Sequence, residues 1–282
     1  MEPALEGLSR HVWIVHNDEV QETISSITPE EPLSLHVDGR QIAILMRLPG
    51  MEKELAAGFL LSEGLVKDPR DIWVLRHCGQ GLPEPGEATS NDGGVESRNR
   101  VEVHLRPGAL DEQARLDVVR LIRAGCGAVD VERAELPLQP LPADTVFVEI
   151  RALRAMPRSM RENQSLRQEF GGVHAAALFD ERGKLLVLGE DVGRHNAVDK
   201  VIGRCLLRGI PLNDKILLCS GRLSYEMVTK AIRARIPVVA SMSAATNLGI
   251  QIADTFGLTL IGYLRGERMT IYAHPERVIA PR

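Results

Sequence analysis

Apolar and polar positions along this chain divide it into stretches of period two and stretches of helical period. "PLSLHVDGRQIAILMRLP" (residues 32–49) alternates on either side of Asp38-Gly39, a dipeptide suited to a tight hairpin turn. "MEKELAAGFLLSEGL" then repeats apolar residues at helical spacing, with Gly64 placed to stop the helix. "DIWVLRHC" and "RVEVHLR" read as strands, and the Gly-, Pro- and polar-rich segment between them (residues 79–99) reads as a solvated loop. "LDEQARLDVVRLIRAG" predicts a helix, with Asp111 as N-cap and Gly125 just past its end.

The Pro-rich "LPLQPLPAD" marks the boundary between a mixed α+β N-terminal region, residues 1–135, and a second domain, residues 136–282. After one or two helical stretches within residues 146–168, strand and helix patterns alternate. Strand-like "VHAAALFD" and "KLLVLGE" flank a turn and lead into helix-like "GRHNAVDKVIGRCLLRG". Strand "DKILLCSG", helix "LSYEMVTKAIRAR", strand "IPVVASM", helix "NLGIQIADTFG" and strand "LTLIGYLR" follow. Such alternation predicts βαβ units in a layered α/β domain, with ligand sites at the Gly-bearing breaks after the strands.

Polar residues gather at those breaks. His174 follows a glycine pair at a strand start, and "GEDVGRHNAVDK" sets Glu190, Asp191, Arg194, His195, Asn196, Asp199 and Lys200 around a strand-to-helix junction. Ser220, Gly221 and Arg222 follow a buried strand and open a helix, offering backbone N–H groups, a hydroxyl and a guanidinium to an anion. "YLRGER" closes the final long strand with Tyr263, Arg265 and Arg268, an aromatic face beside two cations that suits a phosphate-bearing heterocycle. Each has a plainer reading: Glu190 and Asp191 as caps of the following helix, His195 as a satisfied helix histidine, the arginines as edge-strand charges.

Composition narrows the field. The 282 residues are 44% hydrophobic and 26% charged, as in an ordinary globular protein, and the net charge of −4 argues against a nucleic-acid binder with a broad basic face. No apolar run approaches the roughly 20 residues of a membrane span, and the N-terminus lacks the pattern of a secretory signal, so the cytoplasm is the expected compartment. The four cysteines, Cys78, Cys126, Cys205 and Cys219, form no CxxC pair, which disfavours a structural zinc site, and the compartment disfavours disulfides. Cys126 stands apart, set between Gly125 and Gly127 on bare backbone, whereas Cys78, Cys205 and Cys219 fall in strand or helix patterns that predict buried, inert thiols.

Together "GGVHAAALF", "GEDVGRHNAVDKVIGR", "SGRLSYEMVTKA" and "GLTLIGYLRGERMTIYAHPERV" closely resemble the formate dehydrogenase accessory sulfurtransferase family, FdhD. The likeness continues upstream in "EEPLSLHVDGRQIAILMRLPG", "KELAAGFLLSEGLV" and "GCGAVDVE…LQPLP", and covers nearly the whole chain except the first dozen residues and the loop near 80–98. It implies a cytoplasmic homodimer whose main domain has a cytidine-deaminase-like α/β/α fold. It also implies a sulfur relay from a cysteine desulfurase to the molybdenum or tungsten bis(molybdopterin guanine dinucleotide) cofactor, before that cofactor enters the catalytic subunit of formate dehydrogenase. No zinc, nucleic acid or membrane is expected.

In the family the sulfur rides as a persulfide on the first cysteine of a CGxC loop. The shared "GCG…VE" frame matches that cysteine to Cys126 and the second to Val129, a departure that removes a thiol able to resolve or relay the persulfide. The family's cofactor segment matches Tyr263, Leu264, Arg265, Gly266, Glu267 and Arg268; Ser220, Gly221, Arg222, His174 and His195 complete the expected cofactor set. A further departure lies in "SAATNLG", where the family usually has proline before the threonine. Flanking glycines would let the Cys126 loop swing between donor and acceptor. Because the thiolate is the nucleophile, Arg120 and Arg123 would offset the negative end of the preceding helix.

Two rivals share these residues. One is a cofactor chaperone that moves no sulfur, favoured by Val129. The other is a zinc deaminase, which needs an H-x-E and a P-C-x-x-C that this sequence does not have.

Overall fold

The computed structural model describes residues 8–78, 99–109, 138–143 and 146–280, and 120–122 as backbone alone. Strands β1 (Leu8–His16) and β2 (Glu19–Ile27) form an antiparallel hairpin that the sequence reading had not assigned. Strands β3 (Glu31–Val37) and β4 (Arg40–Arg47) pair antiparallel about Asp38-Gly39, both residues at positive φ, as a tight hairpin turn requires. Helix α1 (Glu52–Ser62) follows, and the chain leaves it through Gly64 in the left-handed region. Strands β5 (Ile72–Cys78), β6 (Arg100–Leu105) and β7 (Arg120–Ile122) complete a five-stranded sheet of order β5-β6-β3-β4-β7. Leu33, Leu35, Val37, Val101 and Val103, every second residue of β3 and β6, bury against Leu55, Phe59 and Leu60 of α1.

The helix expected over residues 110–125 is overturned where it can be tested: Arg120–Ile122 is a strand, paired in parallel with β4. Apolar spacing there fits a helix, but the edge of β4 offers ladder partners, and tertiary pairing outweighs local period. The Asp111 cap and Gly125 stop lie outside the described residues.

The second half builds on β8 (Val148–Glu149), α2 (Ile150–Glu162), α3 (Ser165–Phe170), β9 (His174–Phe179), β10 (Leu185–Asp191) and α4 (Arg194–Arg208). It continues with β11 (Ile216–Cys219), α5 (Tyr225–Arg233), β12 (Val238–Ser241), α6 (Asn247–Phe256), β13 (Thr259–Arg265), β14 (Arg268–Ala273) and β15 (Val278–Ile279). Its six-stranded sheet has the order β10-β9-β11-β12-β13-β14. Only β11, β12 and β13 are mutually parallel, so the sheet is mixed rather than a run of βαβ units. Alternate residues of β9 face opposite ways. Ala176 and Leu178 join the core under α4 and α5, whereas Ala175, Ala177 and Phe179 meet Leu153, Met156 and Met160 of α2. The result is the α/β/α layering implied by the resemblance.

The two sheets meet through α1 and α4, which cross at glycines. A Cβ on Gly203 would lie 1.8 Å from the Glu54 carbonyl oxygen, and one on Gly58 would lie 1.9 Å from that of Asp199. Beside this crossing the buried Lys230 ammonium donates to Asp199 Oδ2 (2.9 Å), Ser62 Oγ (2.7 Å) and Glu63 Oε1 (2.7 Å), joining α5 to both helices. Burial alone would lower the Lys230 pKa, but the Asp199 and Glu63 carboxylates outweigh it and raise it, so the lysine stays charged. Among the described residues no helix is long and apolar enough to cross a membrane.

Gly203→Ala should destabilise the fold by about 1–3 kcal/mol or more, because backbone must move to admit the methyl group. Lys230→Met should cost about 3–5 kcal/mol, since it strands the buried Asp199 carboxylate. Urea unfolding of each variant checks both values, and wild-type midpoints would contradict this packing.

Candidate functional site

Parallel β11, β12 and β13 end at one edge of the six-stranded sheet, so the turns after them lie side by side. Ser220–Arg222 follows β11, Met242–Ala245 follows β12, and Tyr263–Arg268 ends β13 and turns into β14. Because β9 runs antiparallel to β11, its first residue, His174, comes to the same edge, opposite Asp191 at the end of β10. Residues from four separate motifs are thereby gathered on one rim, the His195 and Leu264 side chains excepted. The β11 and β13 turns sit two strands apart, about 10 Å.

Hydrogen bonds weave the turns together. Ser241 Oγ donates to the Gly221 carbonyl oxygen (2.6 Å) and accepts from the Ser243 N–H (2.9 Å). The Ser243 carbonyl oxygen in turn accepts from the Tyr263 N–H at 2.9 Å. Tyr263 sits at φ 51°, a left-handed conformation costly for an aromatic residue, at a register shift between Gly262 and Arg265. The bulge leaves the ring 40% exposed, with the Arg268 guanidinium 5.7 Å from its centroid. Arg265 Nε donates to the Met242 carbonyl oxygen at 2.6 Å, which ties the β13 and β12 turns. Leu264 is wholly buried in the core, so only its backbone is available to a ligand. Glu267 is held by Arg154, with Nη1 and Oε2 2.7 Å apart. Thr246 caps α6 by accepting from the Gly249 N–H, so the change of motif around "SAATNLG" has kept the cap.

On the β11 side, Ser220 Oγ accepts from the Ala175 N–H at 2.9 Å and lies 3.1 Å from His174 Nδ1. Gly221 is needed because Arg194 packs on it: a Cβ there would lie 2.9 Å from Arg194 Cδ and 3.0 Å from its Cβ. Burial, and then the Arg194 guanidinium and His195, push the His174 pKa below its ordinary value against a smaller opposing pull from Asp191. His174 is therefore neutral at pH 7.

The junction residues divide by role. Asp191 is buried and accepts from the N–H groups of Leu48 and Gly193 and from Asn196 Nδ2, while Lys200 Nζ lies 2.8 Å from its Oδ2. Lys200 also donates to the carbonyl oxygens of Leu48 (2.9 Å) and Glu190 (3.0 Å). Glu190 accepts from the N–H groups of Leu166 and Arg167, so it caps α3 and not the helix that follows it. His195 points inward, its Nε2 2.8 Å from Glu226 Oε2 though not in line for a hydrogen bond. Of the two expected histidines only His174 faces the rim.

Charge decides what this edge can hold. Arg194, Arg222, Arg265 and Arg268 reach it, and among the described residues none of the four pairs with a carboxylate. Elsewhere arginines such as Arg47, Arg70, Arg154 and Arg158 do. Guanidinium groups that no described carboxylate pairs, on the same rim as a tyrosine, have the chemistry to suit an anionic, ring-bearing molecule. Arg194 was legible in the sequence as a junction residue. Its place on the rim was not, because its contact with Gly221 is tertiary.

Comparison with known proteins shows the family. The FdhD/NarQ family model matches residues 28–279. This chain belongs to the FdhD/NarQ family. The sulfur carrier protein FdhD of Mycobacterium tuberculosis is 38% identical over 276 residues, 95% of this chain and 97% of that one. That of Saccharolobus solfataricus is 38% identical over 268 residues, covering 94% and 95% of the two chains. The crystal structure of a formate dehydrogenase accessory protein from Desulfotalea psychrophila superposes with a TM-score of 0.74 at 27% identity, covering 97% of this chain and 99% of that one. The FdhD/NarQ likeness thus extends to both sheets.

Cys126 and Val129 of the family loop, and Arg123, lie outside the described residues; Arg120 is described only as backbone in β7. Cys205 and Cys219 are buried, and burial pushes each thiol up to about 12. Cys78 was expected to be buried but is only partly so. Iodoacetamide at pH 8 should leave Cys205 and Cys219 unmodified in the native protein and alkylate both once it is unfolded in guanidinium. Peptide mass mapping reads the result, and native labelling of either would contradict their burial.

Proposed function

We propose that this protein is a sulfurtransferase that carries persulfide sulfur on Cys126 to a molybdenum or tungsten bis(molybdopterin guanine dinucleotide) cofactor held on the rim of the six-stranded sheet. The observation that carries the reading is the set of four rim arginines, Arg194, Arg222, Arg265 and Arg268, without carboxylate partners among the described residues, with Arg268 against Tyr263. Arg265, Arg268 and the Ser220–Arg222 turn neutralise the cargo's pyrophosphates, and Tyr263 packs on a ring. The metal-bearing cofactor is the substrate here.

The Cys126 thiolate attacks the terminal sulfur of a persulfide on a cysteine desulfurase; the donor's thiolate leaves, and Cys126 now bears the persulfide. The client is the catalytic subunit of formate dehydrogenase, the carrier works as a homodimer, and both meet in the cytoplasm. Chain connectivity supports delivery. Strand β7 ends at Ile122, paired with Leu45 of β4, and three residues later Leu48 is bonded to Asp191 on the rim side of β10. Cys126 is the fourth residue after Ile122, and four such steps of chain span at most about 14 Å.

The second reading, a chaperone that delivers cofactor without moving sulfur, is favoured by Val129, which removes the second thiol of the family loop. Incubation with a cysteine desulfurase and cysteine separates the two. A mass gain of one sulfur atom, mapping to Cys126 and lost on reduction, is expected. No gain, together with full activation of formate dehydrogenase by Cys126→Ala, would leave the chaperone.

The cofactor site has its own test. Arg265→Ala combined with Arg268→Ala should weaken guanine-nucleotide binding by roughly 10- to 100-fold, corresponding to about 1.5–3 kcal/mol for a charge-assisted contact. Unchanged affinity in a calorimetric titration would remove the phosphates from this hairpin.

A further inference from the structure

We infer that His174 is an uncharged hydrogen-bond donor to an anionic oxygen, presenting Nε2–H to the rim with its tautomer fixed by Ser220, and that ligand binding protonates the ring. The inference rests on the cofactor-site reading above and assigns one side chain its part in it.

The tautomer follows from counting protons. Ser220 Oγ has one hydrogen and two lone pairs, and the Ala175 N–H occupies one lone pair at 2.9 Å. Among the described residues the remaining partner of the hydroxyl is His174 Nδ1, at 3.1 Å. Pointing the hydroxyl hydrogen at that nitrogen pairs both groups within the protein, and this arrangement puts the lone pair on Nδ1 and the ring proton on Nε2. Nε2 itself has no partner among the described residues, and it is not one of the buried, unsatisfied atoms. It opens to solvent, on the same rim as Arg194 and Arg222.

Burial first, and then the surrounding charges, disfavour protonation of the ring while the site is empty. Arg194 and His195 from the start of α4 oppose protonation, and Arg222 follows Ser220 on the β11 turn. Asp191 at the end of β10 favours protonation, but its oxygens are committed to Lys200, Asn196, Gly193 and Leu48. Glu226 of α5 faces His195. A phosphate oxygen accepting from Nε2–H adds negative charge at short range and raises the ring's pKa. The second proton enters at Nδ1, and the Ser220 hydroxyl rotates to accept it, still holding the Ala175 N–H on its other lone pair.

The sign of the linkage is set by that change. His174 starts below its ordinary pKa and rises on binding, so the complex takes up a proton between the two values. Affinity for the anion strengthens as pH falls through the bound-state pKa and levels off below the free-state one, by up to about tenfold per pH unit within the window.

Two measurements on the full chain test this. Proton–nitrogen correlation spectra of histidine-labelled protein at pH 7.5 should show His174 neutral with Nε2–H, and Ser220→Ala should relax it to a tautomer mixture. A charged ring or an Nδ1–H tautomer overturns the inference. Titration with guanosine diphosphate across pH 6–8, in two buffers of different ionisation heat, should show proton uptake by wild type. His174→Gln, which keeps an N–H donor that cannot titrate, should bind with no uptake and a flatter pH profile. Equal uptake by His174→Gln overturns the inference and leaves the cofactor site standing. No binding of guanosine diphosphate by wild type overturns the cofactor-site reading itself, and the ligand half of this inference with it.

Discussion

A lysine ammonium and a carboxylate, both taken out of water, must find all their partners inside the protein or unfold it. Lys200 and Asp191 are 1% and 0% exposed, and the partners they find lie on two different sheets. Lys200 reaches the Leu48 and Glu190 carbonyl oxygens, and Asp191 takes the Leu48 and Gly193 N–H groups. Satisfying this one pair therefore fastens the exit of β4 to the junction of β10 and α4. Asn196 extends the fastening by donating to the Met46 carbonyl oxygen at 2.7 Å. Such a buried pair adds little net stability over an apolar substitute, but breaking it is costly, so it specifies how the two sheets sit.

That fastening puts two chemistries on one side of the molecule. The rim of the six-stranded sheet carries four guanidinium groups that no carboxylate pairs among the described residues, and β7 runs alongside β4 toward the same junction. The rim's charge is a liability to the empty protein, since neighbouring guanidinium groups repel one another. It persists because the groups are spread over the β11 turn, the β13–β14 turn and the start of α4, which the fold holds in place. An anion bound there gains from several pre-set contacts whose ordering was accomplished by folding. In the empty rim a neutral His174 adds no fifth positive charge to the four guanidinium groups.

The junction motif shows how far residue type can mislead. "GEDVGRHNAVDK" looks like one functional cluster, yet the fold sends its members to four destinations. Glu190 caps α3, Asp191 and Lys200 join the sheets, His195 and Asp199 turn inward, and Arg194 goes to the rim. A helix turns about 100° per residue, so neighbours in sequence point apart. In contrast, Ser220–Arg222 and Tyr263–Arg268 end strands, where direction is set by the sheet, and they do meet at the edge where they were expected.

Strand and helix positions were legible from period alone wherever one face is buried: the hairpin about Asp38-Gly39, α1, and the run from β9 to β13. The glycine stops and the anion-suited turns were legible as well, because their chemistry is local. The β1–β2 and β13–β14 hairpins were missed although their strands are neighbours in sequence. The other misses depended on distant partners: residues 120–122 are drawn into a strand by β4, and β9 lies antiparallel beside β11. Local sequence fixes which conformations a segment prefers and which groups it carries. Only the packed chain decides which strand edge stands open, which charge is answered by a carboxylate, and which is left for a ligand. Those outcomes turn on distances between residues far apart in the chain, and no local pattern encodes them.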